Sequence, residues 1–460
     1  MRANCPFSDD TPSTSVDGRS VSRTPRLDVR TRPWDAPGHL LGLLPRGWPA
    51  QSLDSWVRDG RGHLGWGCAA EVQTSGTDRF DAAQSWWREV VDSARQDRCD
   101  LPFDARGGLM AFGSFAFSPH SARGGLLRVP HVILSRYDGH TMLTTVVDRD
   151  QTADAQIDAA HRSWEETVPG GNAAVSDPTD PGEVAFADGA LSGPAWQSVV
   201  ATAVDNIRAG ALDKVVLARD LIAECDAPVD PRWLLRRLAA DYAKTWVFAV
   251  DALVGATPEM LCRLDRGRVT SRVLAGTIRR TGDEAHDLAS AAALTRSSKD
   301  LEEHAYAVRS VADALAPHCR DVDAPATPFV LRLPNVLHLA SDVTGRLSDG
   351  LTSLALAAAL HPSAAVCGTP RQDAADLIDE VESMDRGRYA GPVGWIDAHG
   401  DGEWGIALRC GEIDPERSGR IRLFAGCGVV AASDPAAELA ESNAKLVPMR
   451  SALGPGPLVH

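Results

Sequence analysis

Residues 389–413 read YAGPVGWIDAHGDGEWGIALRCGEI, and residues 421–430 add IRLFAGCGVV. Two runs rich in Val, Trp and Ile flank a His-Gly-Asp-Gly cluster, the pattern of a β-hairpin turning at residues 399–402. The second stretch reads as a further strand. Pro435 then opens a last helix, where its missing N–H costs nothing. Antiparallel strands interleaved with helices predict a mixed α/β or α+β architecture and argue against a doubly wound sheet.

The same alternation continues upstream. Trp196, Val199, Val200, Ala203 and Ile207 recur at helical spacing behind Pro194, and Gly210 closes that helix. VVLARDL follows as a strand with Lys214 at its entrance. Residues 246–277 read as strands joined by turns at Gly255 and residues 265–267. Leu301, Ala305, Val308, Ala312 and Leu315 form one face of a helix over 298–317, and another helix spans 373–384. In the first half, LLRVPHVIL and TMLTTVV read as strands, with a helix near 80–94. Residues 1–35 are polar and Pro-containing and read as a disordered extension. Residues 169–193, rich in Gly, Pro, Asp and Ala, read as a loop or linker. There is no internal repeat.

At 460 residues and 44% hydrophobic content the chain can bury a large core; length alone predicts two or three domains. The longest apolar run, from Leu351 to Leu360, is about half a membrane span, and no apolar leader precedes a cleavage site, so neither membrane insertion nor secretion is expected. Nine cysteines lie scattered without a CxxC pair. This predicts free thiols in a reducing cytoplasm, not a disulfide frame or a zinc site. A net charge of -15 argues against nucleic acid as a partner. An anionic substrate would need a pocket locally positive against that field.

Glu438, Glu441 and Lys445 share one face of the last helix, at i, i+3 and i+7. In isolation that face reads as a solvated surface with a Glu441–Lys445 ion pair. Asp300 and Glu303 lie one turn apart on the 298–317 helix and also read alone as a wet face. If the two acidic helices faced each other, their carboxylates would suit a hard cation such as magnesium. Lys214 alone reads as a strand-end lysine reaching solvent, Glu259 as a turn residue, and His338 as a satisfied core histidine. AGCGVV is not a dinucleotide loop: no third glycine follows, and strand, not helix, comes next. Cys427 between those glycines reads as a small filler.

Taken together, these segments resemble the chorismate-utilising enzymes: isochorismate synthases, salicylate synthases and the synthase components of anthranilate and aminodeoxychorismate synthesis. The likeness runs in order through LDKVVLARDL, GATPEML, RVLAGTIRR, SSKDLEEHAYAV, PNVLHLASDVTGRL, LHPSAAVCGTPR, DRGRYAGPVGWIDAHGDGEWGIALR and FAGCGVVAASDPAAELAESNAKL. The resemblance implies an α+β fold with two packed, mainly antiparallel β-sheets surrounded by helices and a cleft between them. It replaces the two or three domains with one catalytic domain over 36–460, less distinctive over 36–190 and motif-bearing over 191–455.

The resemblance also implies site roles. Glu303 and Glu441 match direct Mg2+ ligands, and Asp300 and Glu438 match acids acting through water, although Asp300 stands where glutamate is expected. Tyr389, Arg409 and Lys445 match residues that hold the substrate's carboxylates. Gly276, Thr277 and Gly426 match backbone and hydroxyl contacts, and His338 matches a histidine lining the ring site. Lys214 and Glu259 resemble the base and acid of the members that move a hydroxyl group. The chemistry needs such a pair, because water attacking ring carbon 2 must lose a proton while the hydroxyl leaving carbon 4 must gain one. A lysine base must shed its proton near neutral pH, which costs roughly 4 kcal/mol for an ordinary lysine and calls for desolvation or a nearby cation.

Aminating members lack a lysine at the Lys214 position and use a glutaminase partner. The aminodeoxychorismate type carries a nucleophilic lysine where this chain has Ala275. Lys214 and Ala275 therefore point to water as nucleophile, with no glutaminase subunit and a monomeric, cytoplasmic enzyme expected. The activity implied is isochorismate synthase, an isomerase acting on chorismate. A salicylate synthase, which goes on to eliminate pyruvate, is the alternative, and a non-catalytic chorismate-binding protein is the competing class. The product could feed menaquinone, a siderophore or another secondary metabolite.

Overall fold

The computed structural model describes residues 24–35, 38–97, 107–168, 177–333, 336–348 and 350–454, without the side chains at 275, 277, 279, 299, 300 and 303. Within the opening stretch, Pro392–Asp397 and Gly402–Ile406 pair antiparallel around a turn at residues 398–401. The hairpin is therefore present, but it accounts for only part of the stretch. After Ile406 the chain leaves that sheet, and Cys410–Ile413 joins a second one beside Arg420–Val429.

The strands among the described residues fall into two sheets. The first runs, in spatial order, Val184–Asp188, Lys214–Cys225, Arg420–Val429, Cys410–Ile413, Leu253–Thr257, Trp246–Val250, Leu53–Arg58, Arg61–Trp66, Val132–Tyr137, His140–Asp148, Leu27–Pro33 and Arg95–Asp97, with Gly368–Thr369 beside Lys214 and Val215. The second runs Cys319–Asp323, Val336–Leu347, Arg268–Arg279, Met260–Asp265, Gly402–Ile406, Pro392–Asp397, Met110–Phe115, Gly125–Val129 and Ala70–Thr74, with Phe329–Arg332 beside Val336–Leu347. Neighbours are antiparallel except Leu27–Pro33 with Arg95–Asp97. The fold is therefore the expected α+β arrangement of two mainly antiparallel sheets with helices outside.

One core cluster draws on both sheets, with Trp56 and Phe248 from the first meeting Phe112, Phe115 and Trp404 from the second. Glu403 of the second sheet accepts from the indole N–H of Trp56 at 2.7 Å and of Trp246 at 3.1 Å, both on the first. A buried carboxylate is tolerable here because two donors satisfy it. The apolar run after residue 350 forms the short buried helix Ser353–Leu360. No helix among the described residues is long and apolar enough to cross a membrane.

Three sequence expectations need correction. Residues 1–35 are not disordered throughout: Leu27–Pro33 is a strand inside the first sheet, while residues 1–23 lie outside the description. Its alternation is real, with Leu27, Val29 and Thr31 buried, but the outward arginines and aspartate mask it. Arg30 pairs with Asp158 at 2.5 Å and Arg32 with Glu165 at 2.8 Å. Second, the 169–193 segment is not all linker, because Val184–Asp188 adds an edge strand to Lys214–Cys225; residues 169–176 lie outside the description. Third, Gly255 is not a turn. It lies in Leu253–Thr257, where an added Cβ would come within 2.5 Å of the Cys410 Cβ. The turn falls instead at Asp251 and Ala252, both at positive φ (48° and 66°).

Candidate active site

The chain passes between sheets at two short connections that carry candidate residues. Pro258 and Glu259 join Leu253–Thr257 to Met260–Asp265, and residues 407–409 join Gly402–Ile406 to Cys410–Ile413. The connections hold each other. Ile406 N–H donates to the Glu259 carbonyl at 3.1 Å, and Ala256 N–H donates to the Arg409 carbonyl at 3.2 Å. Arg409 adopts φ 50° there, a left-handed conformation that costs of order 1–3 kcal/mol and persists only where the surroundings enforce it.

At this seam lies a cavity of about 290 Å³, near the lower end of small-ligand sites, which run from roughly 300 Å³ upward. Its lining brings together ten of the thirteen residues singled out from the sequence: Lys214, Glu259, Gly276, His338, Tyr389, Arg409, Gly426, Glu438, Glu441 and Lys445. Asp300 and Glu303 lie in the helix Ser298–Leu315, whose Ala307 lines the cavity. Their side chains, like that of Thr277, are outside the description. A larger cavity of about 740 Å³ is walled mainly by Leu40, Leu41, Leu43, Val57 and Val247, and contains none of the candidates.

Local structure explains several placements. Lys214 begins its strand opposite Thr369, and its side chain runs past Gly428, where an added Cβ would lie 3.0 Å from Cε and 3.6 Å from Nζ. Gly428 thus makes room for the lysine. Gly426 cannot carry a Cβ, which would fall 2.6 Å from the Leu217 carbonyl oxygen. Its own carbonyl accepts from Lys445 Nζ at 2.9 Å. Both glycines of AGCGVV are explained by strand packing, with no nucleotide loop. Gly276, at φ 73°, is the extra residue of a bulge in the Arg268–Arg279 strand, between Ala275 opposite Leu339 and Thr277 opposite His338. Such bulges re-aim the chain beside functional sites. The bland Glu441–Lys445 ion pair is present too, at 2.7 Å, on the cavity wall and not on a detached surface.

Electrostatics separate these groups. Burial pushes the Glu259 carboxyl up to about 7, against the downward pull of Lys214, Arg409 and Lys445. His338 is driven the other way, to about 3, by burial and then by Arg409 and Lys445, so its imidazole is neutral at physiological pH. Burial lowers the Arg409 guanidinium from its usual value, with Tyr389, Glu441, Tyr242 and Glu259 opposing. Burial also raises the Tyr389 phenol, whose ring stacks on Phe424 at 5.1 Å between centroids and 9° between planes. The Cys427 thiol is raised well above its ordinary value by burial, which suits an inert filler.

Glu438 and Glu441 put two carboxylates on the cavity wall, oxygen donors of the kind a hard cation takes. Glu438 Oε2 faces burial with no hydrogen-bond partner among the described residues, on a side chain that lines the cavity. A carboxylate oxygen left in that state costs free energy unless a cation or water meets it. Among the described residues no three acidic, His or Cys groups could hold a metal together. A site built on Glu438 and Glu441 would need ligands from elsewhere, and Asp300 and Glu303 are the candidates.

Sequence reading missed a buried ion pair at the cavity, Arg386, which lines it, and Glu382 behind it. Arg386 and Glu382 are almost fully buried, and Arg386 Nε donates to Glu382 Oε2 at 2.7 Å. Arg386 also donates to the carbonyls of Val216 at 2.6 Å and Val366 at 3.0 Å, while Glu382 accepts from Ala218 N–H at 2.7 Å. The pair supplies hydrogen bonds to the edge of the Lys214–Cys225 strand opposite Arg420–Val429, in the gap between Gly368–Thr369 and Val184–Asp188. Arg386 was inside the DRGRYAG block, but nothing in its spacing marked it as buried.

The profile of the chorismate binding enzyme family matches residues 56–454. The chain belongs to that family. A family member, isochorismate synthase DhbC of Bacillus subtilis, is 42% identical over 271 residues, covering 56% of this chain and 67% of that protein. The salicylate biosynthesis isochorismate synthase of Pseudomonas aeruginosa is 33% identical over 412 residues, covering 86% of this chain and 84% of its own. The solved structure of the menaquinone-specific isochorismate synthase MenF of Escherichia coli superposes with a TM-score of 0.77 at 24% identity, over 94% of this chain and 95% of that one. At that identity the likeness speaks for the fold.

Proposed function

We propose that the chain is a magnesium-dependent isochorismate synthase that adds water at carbon 2 of chorismate and expels the carbon 4 hydroxyl. The observation that carries this reading is the convergence of Lys214 and Glu259 on one cavity that also holds Arg409 and Lys445. A cavity that merely bound an anion would need the two cations but not the buried acid. Kinship with proteins bearing the isochorismate synthase name supports the same activity.

In this mechanism Arg409 and Lys445 meet the carboxylates of the substrate, which is how an acidic protein accepts a dianion. Lys214 takes a proton from the attacking water. Glu259, held up to about 7 by burial, keeps much of its proton at neutral pH and gives it to the departing hydroxyl. A positioned acid or base contributes about 10²–10⁴-fold in rate. Neutral His338 lines the ring without adding charge. Glu441, Glu438, Glu303 and Asp300 would hold the magnesium ion, which when bound neutralises a substrate carboxylate and helps orient the ring. Water as nucleophile requires no glutaminase partner.

The test is product analysis with purified protein, chorismate and magnesium. Isochorismate, formed only with the metal present, is the expected result. Salicylate with pyruvate would assign the lyase reaction instead, turnover only with added ammonia would assign an aminase, and no consumption of chorismate would leave a binding protein.

A further inference from the structure

Ser433 lies in the turn between the Arg420–Val429 strand and the Pro435–Leu453 helix, and it lines the cavity. Ser433 N–H donates to the Val430 carbonyl at 2.9 Å, and Val430 N–H donates back to Ser433 Oγ at 3.1 Å. With an acceptor site of the hydroxyl so used, its single proton points to Glu438 Oε1, 2.7 Å away. The following residues fix the helix start. Asp434 accepts from Ala437 N–H at 2.8 Å, and Pro435 is the first helical residue. Glu438 thus sits in the opening turn, where the helix dipole favours a carboxylate.

The result is an asymmetric carboxylate. Oε1 is tied to Ser433, while Oε2 is buried without a hydrogen-bond partner among the described residues. Lys445, the cation on the same helix face, donates to Glu441 Oε1 at 2.7 Å and to the Gly426 carbonyl at 2.9 Å, not to Glu438. We propose that Ser433 is a positioning residue for the metal site: it fixes the rotation of the Glu438 carboxylate so that Oε2 is presented to a divalent cation or to water bound on it. This inference rests on the magnesium reading above. Without the serine the carboxylate can turn and bond elsewhere, and the cation must then pay to order it.

The experiment titrates Mg2+ into wild-type protein, Ser433→Ala and Ser433→Thr by calorimetry, with Mn2+ binding followed by electron paramagnetic resonance and Tm recorded for each. Partners that orient a metal-binding carboxylate typically contribute about 10–100-fold in affinity. Ser433→Ala should weaken Mg2+ and Mn2+ binding by about that factor with only a small fall in Tm from the two lost hydrogen bonds, and Ser433→Thr, which keeps the hydroxyl, should bind as wild type does. Equal affinities in wild type and Ser433→Ala would overturn the positioning role while leaving the metal site standing. Absence of Mg2+ binding to the wild-type protein would overturn both.

Discussion

Replacing Glu259 by Gln should stabilise the protein at alkaline pH while stopping its chemistry. The folded state lifts the Glu259 carboxyl from about 4.5 to about 7, chiefly by burial. Folded protein therefore binds this proton more tightly than unfolded protein does. The stability linked to it is fully present below pH 4.5 and is lost as pH rises towards 7. A shift of that size corresponds to about 3 kcal/mol at pH 8. Glutamine mimics the protonated acid in shape and has nothing to ionise. Urea unfolding of metal-free, substrate-free protein should give similar stabilities for wild type and Glu259→Gln at pH 4.5, and an advantage of about 3 kcal/mol for the variant at pH 8. Turnover should fall by about 10²–10⁴-fold. The same ionisation predicts that kcat/KM of the wild type declines above about pH 7. An unchanged stability difference between the two pH values would refute the claim that burial holds this acid protonated.

Lys214→Ala should abolish turnover yet bind chorismate within a few-fold of wild type by calorimetry; near-normal kcat would remove it as the base. Gly428→Ala puts a Cβ 3.0 Å from the Lys214 Cε, so kcat should drop at least tenfold with KM and Tm little changed, as steady-state kinetics and a melt would show. Arg409→Lys keeps the charge but loses the planar fork. Loss of one hydrogen bond between charged groups is worth about 1.5–3 kcal/mol, so KM should rise roughly 10–100-fold at constant Tm.

Residues whose role depends on local spacing were legible in the sequence. Pro194 stands at the start of the helix Gly193–Arg208, as the apolar spacing behind it requires. The shared face of Glu438, Glu441 and Lys445 follows from helical geometry and does line the cavity. Residues whose role depends on which sheet a strand enters were not legible from local pattern and stood out only through the family resemblance. Glu259 and Arg409 matter because their connections cross between sheets and bond each other, a long-range fact that no local pattern contains. The Leu27–Pro33 strand was hidden because its outward positions are charged, which resembles a solvated tail until its neighbours are known. Ser433 lies inside the FAGCGVVAASDPAAELAESNAKL stretch, yet its tie to Glu438 depends on how a four-residue turn closes.

The most direct measurement is the isotopic composition of the product when chorismate and magnesium are incubated with the purified protein in 18O-labelled water. Attack by water at carbon 2 with loss of the carbon 4 hydroxyl predicts isochorismate carrying one 18O atom. Unlabelled isochorismate, or salicylate and pyruvate in its place, would contradict the account.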